Sequence, residues 1–309
     1  MSDRMYMGDR VTVVTPTYRP DHAITVALCE TIDRHFRMAY RHILIVPRRD
    51  VRLFGPLASP DRVVLIAEDL LRPHGFFKLP LPSRLRIPGL IDRRLREQWF
   101  KPGVGRITGW LIQQILKLQS AELTQDETLV FIDSDLAFIR DIDRDIFQVD
   151  GKVRLHRNAG GLASDHHRRW RETSMALLGL DAAGVAENGY IGNVITWKRS
   201  NLVRMLDRIE AVTGADWRTA VAKTGNVSEY MLYGYHAEYA LPERGDHHIA
   251  PFAGVHSLWV DGADSRTAFL NGLQAHHAAV HIQSTIMSGM AERQRLIAEA
   301  VARSTGAAT

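Results

Sequence analysis

The chain has 309 residues, a formal net charge of +4 and 45% hydrophobic residues. That is long enough for one large α/β domain or two small ones, and no apolar run reaches the roughly 20 residues of a membrane span. A single cysteine, Cys29, excludes an internal disulfide and suits a reducing cytoplasm, and Met1 to Arg10 lacks the apolar stretch of a signal peptide.

Val11-Thr12-Val13-Val14-Thr15 is a β-branched run and predicts a strand. It stops at Pro16-Thr17-Tyr18-Arg19-Pro20, which is turn chemistry. Asp21 is then expected to cap a helix with Ile24, Ala27, Leu28, Ile32 and Phe36 on one face and Cys29 in its core. Strands follow over 42–46 and 63–67. Strand, helix, strand so early in a chain favours a parallel sheet with helices on its faces.

Residues 71–108 differ in kind. They hold Pro73, Pro80, Pro82, Pro88 and Pro102, the aromatics Phe76, Phe77, Trp99 and Phe100, and nine Lys/Arg against two acidic residues, a local balance of +7. The stretch reads as a surface insertion with a solvated basic face and a short helix over 89–100. Its functional readings are a lid over a polyanionic substrate or a patch for an anionic membrane surface. It carries no recognisable nucleic-acid-binding module.

A helix over 109–121 brings Trp110, Gln113, Gln114, Lys117 and Leu118 to helical spacing. Gln114 and Lys117 either reach a substrate pocket or lie on the surface. The next segment is the centre of the chain: Leu129-Val130-Phe131-Ile132 ends abruptly in Asp133-Ser134-Asp135. A short apolar run bounded by polar residues reads as a buried strand. Ligands of open α/β sheets bind at the carboxyl ends of strands. Two carboxylates there, one residue apart, can share one hard cation that keeps positions open for substrate phosphates.

Asp141, Asp143, Asp145 and Asp150 suggest a calcium loop, but the glycine and terminal glutamate of an EF-hand are missing, so a turn and a helix cap are expected. Further expectations are a strand over 153–157, a helix over 165–178, a strand over 190–197 and a helix over 201–213. Ser228 caps a helix running to about His236, where Glu229 suits the helix dipole. Late strands are expected over 255–260 and 278–283, the second holding His281. A C-terminal helix and polar tail occupy 286–309. The four residues His166 to Arg169 point in different directions on their helix and read as exposed.

The assembled pattern resembles the nucleotide-sugar glycosyltransferases of the GT-A fold, and within them a little-characterised bacterial branch. The residues that carry the resemblance are Val11 to Tyr18, Gly109-Trp110 with Gln113-Gln114 and Leu116-Lys117-Leu118, Phe131 to Asp135, and Val194 to Arg199. Ser228-Glu229-Tyr230 with Leu232-Tyr233-Gly234, and His281 to Ser284, complete it. The resemblance implies a single GT-A (Rossmann-like) catalytic domain over 1–309, a mixed and mostly parallel α/β sheet flanked by helices. It implies a nucleotide-sugar donor, UDP-linked by default, held by Thr15, Pro16, Thr17, Tyr18, Gln114, Lys117 and Asp133. It implies Mn²⁺ or Mg²⁺ on Asp133 and Asp135, with His281 as a further candidate ligand, and Glu229 as the candidate base for the acceptor hydroxyl. The acceptor would be a carbohydrate, a lipid-linked molecule or a small molecule. The expected location is the cytoplasm, with peripheral contact to the inner face of the membrane through 71–108.

Two rival enzymes share the aspartate logic. A haloacid-dehalogenase-type phosphatase continues its motif with Gly-Thr, where this chain has Leu136-Ala137. A nucleotidyltransferase carries a Gly-rich loop after the first strand, where this chain has Thr17-Tyr18-Arg19-Pro20. The non-enzyme alternative is a nucleotide-sugar fold that has lost turnover and binds a carbohydrate or a partner.

Overall fold

The computed structural model describes residues 10–81, 84–87, 91–94, 97–162, 164–286 and 289–306. Its centre is a five-stranded sheet ordered Val194–Lys198, Thr128–Ile132, Val11–Pro16, Tyr40–Val46, Arg62–Ile66. The first pair is antiparallel and the other three pairings are parallel. The chain leaves the Val11–Pro16 strand toward one edge and later returns on its other side through Thr128–Ile132. The two strands in the middle therefore diverge in their connections, and a crevice forms at their carboxyl ends.

Period-two alternation explains why these strands read as unbroken apolar runs. Val11, Val13, Val130 and Ile132 join one core with Leu28 and Ile32 of the helix His22–His35. Val14, Leu129 and Phe131 join the opposite core with Ile115 and Leu118 of the helix Gly109–Leu118 and with Tyr230 and Leu232 of the helix Glu229–Tyr235. Both faces are covered, so both sets of alternating side chains must be apolar.

One polar row crosses this sheet. The Thr15 hydroxyl donates to the Ile132 carbonyl at 2.9 Å and accepts from His42 Nε2 at 3.1 Å, while His42 Nδ1 accepts from Arg62 Nε at 3.1 Å. The partners fix the tautomer. Burial, reinforced by Arg62, pushes the His42 pKa down to about 3.

A three-stranded sheet extends the site. Leu136–Phe138 pairs antiparallel with Ala279–Ile282, which pairs parallel with Val255–Leu258. The register sets Leu136 opposite His281. The C-terminal helix Met290–Gly306 packs its Leu296 and Ala300 onto this sheet.

Several expectations change. The helix expected over 89–100 is absent from its described part, which holds strands Ile91–Arg94 and Gln98–Lys101; Gly89, Leu90, Leu95 and Arg96 lie outside the described residues, as do Pro82 and Pro88. The insertion is not wholly superficial, because Phe76, Trp99 and Ile107 are buried in the main core. The strand expected from Tyr190 begins only at Val194, since Tyr190 is held by its hydroxyl on Glu238 at 2.7 Å rather than by a ladder. Asp21 occupies the cap position of its helix but makes no side-chain cap bond. Asp143 does cap a short turn, accepting from the Asp145 amide at 3.0 Å.

Candidate active site

The Thr128–Ile132 strand delivers Asp133 to the crevice with its side chain 56% exposed. Two residues later Asp135 is gripped from the neighbouring sheet. Its Oδ2 accepts from the Ser284 amide at 3.0 Å and lies 3.4 Å from His281 Nε2. Its carbonyl accepts from the Ile282 amide at 3.1 Å. Burial opposes the charge of this carboxyl, but His281 and the Ser284 amide outweigh burial and hold its pKa below the usual carboxylate range. Asp135 is thus a fixed anion and Asp133 an accessible one.

Lys117 approaches from the other face of the sheet. Its helix starts where the Thr108 hydroxyl accepts from the Leu111 amide at 3.3 Å, and Leu111, Ile112, Ile115, Leu116 and Leu118 lock it into the core. The buried ammonium donates to Tyr230 Oη at 2.7 Å and to Asp133 Oδ1 at 3.3 Å. It also lies 3.1 Å from Glu229 Oε1, off the hydrogen-bond direction, so this contact is ionic and Oε1 lacks a hydrogen-bond partner. Burial disfavours the ammonium, yet Asp133, Tyr230 and Glu229 together raise its pKa well above that of an ordinary lysine. Glu229, 1% exposed, has its carboxyl pKa raised by burial, with Lys117 opposing the shift.

Glu229 and Tyr230 open the helix Glu229–Tyr235, whose first turn is held by the Ser228 hydroxyl accepting from the Met231 amide at 3.4 Å. Helix geometry thus sets Glu229 behind Lys117 and Tyr230 beside it. Glu229, the candidate base, is buried in this arrangement, its side chain 2% exposed.

The expected nucleoside residues divide. Thr15 is fully buried and its hydroxyl is committed to Ile132 and His42. Thr17 is buried with its hydroxyl 2.8 Å from Thr25 Oγ1. Pro16 is half-buried and Tyr18 exposed, so these two reach the surface of the crevice. Gln114 is buried, its amide donating to the Trp110 carbonyl at 3.2 Å.

Sequence reasoning missed four neighbours. Asp21, read as a cap, hydrogen-bonds Ser134, and burial together with Asp135 raises its pKa from 3.8 to about 6. Arg293 reaches back from the C-terminal helix to donate to the Ile282 carbonyl at 2.7 Å and the Gln283 carbonyl at 3.1 Å, clamping the segment that follows His281. Trp259, 58% exposed, sets its ring 4.6 Å from that of His281. Asp50, fully buried, accepts from the Arg19 amide at 3.0 Å and its guanidinium at 3.1 Å, fixing the turn after the first strand. None carries a local signal, since each acts on residues ten or more positions away in the chain.

Among the described residues no group of three or more His, Cys, Asp or Glu side chains is arranged to hold a metal ion. Asp133 faces Lys117 and His281 faces Asp135, so the expected trio is not a closed cage. The donor chemistry still suits a hard ion, which takes one or two carboxylates and completes its shell with ligand phosphates and water.

The fold and site define a mixed α/β protein with a mostly parallel central sheet, flanked by helices, whose charged cluster lies at the strands' carboxyl ends. Residues 12–252 match a family of unknown function (DUF6492), and the chain belongs to that family. No curated protein matches it. His281, Ser284 and Arg293 lie beyond the matched span. Among the described residues no helix is long and apolar enough to cross a membrane.

Proposed function

We propose that this protein is a glycosyltransferase of the GT-A type, moving a sugar from a nucleotide-diphosphate sugar, UDP-linked by default, to an acceptor hydroxyl. The observation that carries the reading is the meeting of exposed Asp133, anchored Asp135 and the buried Lys117 ammonium at one crevice. Cleaving a sugar–diphosphate bond develops negative charge on the departing phosphate, and fixed positive charge in a water-poor site stabilises it at little reorganisation cost. Lys117 meets that need, because its surroundings keep it charged and hold it still. A Mn²⁺ or Mg²⁺ ion on Asp133 and Asp135 would add Lewis-acid stabilisation of the same charge.

The chain's own residues then have separate tasks. Asp135, held by Ser284 and His281, is preorganised, while Asp133 can turn from Lys117 toward a ligand. Pro16 and Tyr18 offer the exposed edge beside the first strand for the nucleoside. Glu229, sealed behind the ammonium, serves this reading as the positioning residue for Lys117 rather than as the base for the acceptor.

The test is nucleotide release from UDP-, GDP-, dTDP- and CMP-sugars with Mn²⁺ and with EDTA, alongside Asp135→Ala and Lys117→Met. The expected result is slow Mn²⁺-dependent release from one donor, lost in both variants. No release from any donor, together with no thermal stabilisation by any nucleotide plus metal, would overturn the reading in favour of a binding protein without turnover.

A further inference from the structure

The basic insertion has an ordered outer face. Phe77–Lys78, Gln98–Lys101 and Gly105–Thr108 form an antiparallel sheet. Its register sets Phe77 opposite Phe100 and Phe100 opposite Arg106 in one row, and Lys78, Trp99 and Ile107 in the next. Successive residues of a strand face opposite ways. The Trp99 and Ile107 row is buried against the core, whereas Phe77 is 46% exposed, Phe100 40% and nearby Leu81 44%. Two phenyl rings paired across strands and both turned to water form an apolar spot left open among the described residues.

The charge around this spot is not cancelled. Glu97, one of the two acidic residues in 71–108, is ion-paired with Lys78 at 2.8 Å and Arg49 at 2.5 Å. Arg72 and Arg106 are exposed and have no ion-pair partner among the described residues. The whole insertion carries a balance of +7. Two half-exposed rings with Arg106 in the same row present far less apolar area than the roughly 800 Å² per partner of a stable protein interface. The spot has the two signals that a reversible lipid contact needs, apolar insertion and attraction to anionic headgroups.

We propose that the Phe77–Phe100–Arg106 face docks on an anionic lipid surface, the rings entering the headgroup boundary and the arginines neutralising lipid phosphates and carboxylates. The last strand of this sheet runs straight into the Lys117 helix through the Thr108 cap. At about 1.5 Å per residue, the Thr108 cap, two residues after Arg106, lies about 13 Å from Lys117 along the helix axis. The inference concerns the surface alone and stands or falls independently of turnover at the crevice.

The test is co-sedimentation of the full chain with phosphatidylcholine vesicles, with and without phosphatidylserine. Wild type is expected to partition onto the anionic vesicles and not the neutral ones. Arg72→Gln with Arg106→Gln should weaken partitioning about 25-fold, at about fivefold per surface charge. Phe77→Ser with Phe100→Ser should weaken it at least about tenfold, and its residual binding should vanish in high salt sooner than that of wild type. All four side chains are exposed, so unchanged melting temperatures show that the fold is kept. Equal partitioning onto both vesicle types, no partitioning of wild type, or a phenylalanine variant that binds as wild type each overturns the proposal. Retention on poly-glutamate without vesicle binding does so as well and points to an acidic protein partner.

Discussion

Removing the Lys117 ammonium while leaving Glu229 tests the buried cluster most directly. In Lys117→Met, Glu229 remains 1% exposed with its nearest cation gone. It must either stay charged without a partner or take up a proton. An ordinary glutamate titrates at 4.5, so keeping it protonated at pH 7.5 costs at most about 4 kcal/mol at about 1.4 kcal/mol per pH unit, part of which the wild type already bears because burial raises this carboxyl there. This agrees with the roughly 3–5 kcal/mol seen when one member of a buried pair is removed.

Glu229→Met is milder, since Lys117 keeps Asp133 at 3.3 Å and Tyr230 at 2.7 Å; about 1–2 kcal/mol is expected. The double variant replaces the pair with apolar side chains and should cost no more than about 2 kcal/mol. The cycle therefore predicts a coupling of at least about 2 kcal/mol, measured by urea unfolding of the four proteins. The sign of the pH effect is a second check. Glu229 in Lys117→Met has a raised folded pKa, so its penalty is full at pH 7.5 and fades as pH falls toward the unfolded value. Costs that add within about 0.5 kcal/mol, or a Lys117→Met deficit unchanged between pH 7.5 and 5, would refute the account of a coupled buried pair.

Three other outcomes follow from the same structure. His42 and His236 are buried with pKa values lowered by burial to about 3, and His247 to about 4. Their stabilising contribution is full above the unfolded histidine value and is lost as pH falls below it. Unfolding at pH 7.5 and pH 5 should differ by about 2 kcal/mol per histidine, and His236→Phe should remove its share; a flat profile would contradict this. Gly234→Ala should destabilise by about 2 kcal/mol or more despite alanine's better helix propensity, because the new methyl would sit 2.1 Å from the Tyr190 ring. Gly184→Ala, which meets nothing within 4 Å, is its neutral control in thermal melts. Thr108→Ala should cost about 1 kcal/mol by uncapping the Lys117 helix, read from the same melts.

Local signals carried much of this molecule. The β-branched run at Val11 and the apolar run ending at Asp133 each fold as the strand their composition demands, because a strand buried on both faces needs only apolar side chains in sequence. Asp143 and Ser228 cap as their spacing says, since a cap involves neighbours two or three residues away. The insertion misled for the opposite reason. Its arginines and prolines describe a solvated segment, and only docking onto the core reveals that Trp99 and Phe76 are inside and Phe77 and Phe100 outside. Those rows come from cross-strand register, which composition does not encode.

The charged cluster belongs almost wholly to the tertiary structure. Asp133 and Asp135 are visible in sequence as a pair, but their difference is not: one is anchored by His281 of a strand far along the chain and by Ser284 just after it, the other left exposed. Glu229 looks like an accessible first-turn carboxylate until the helix Gly109–Leu118 brings Lys117 against it. Sequence alone determined where carboxylates stand at a strand end. Folding decided which of them are fixed, which are reachable and which cation stays charged, because burial and distance set electrostatic energies and neither is a property of adjacent residues.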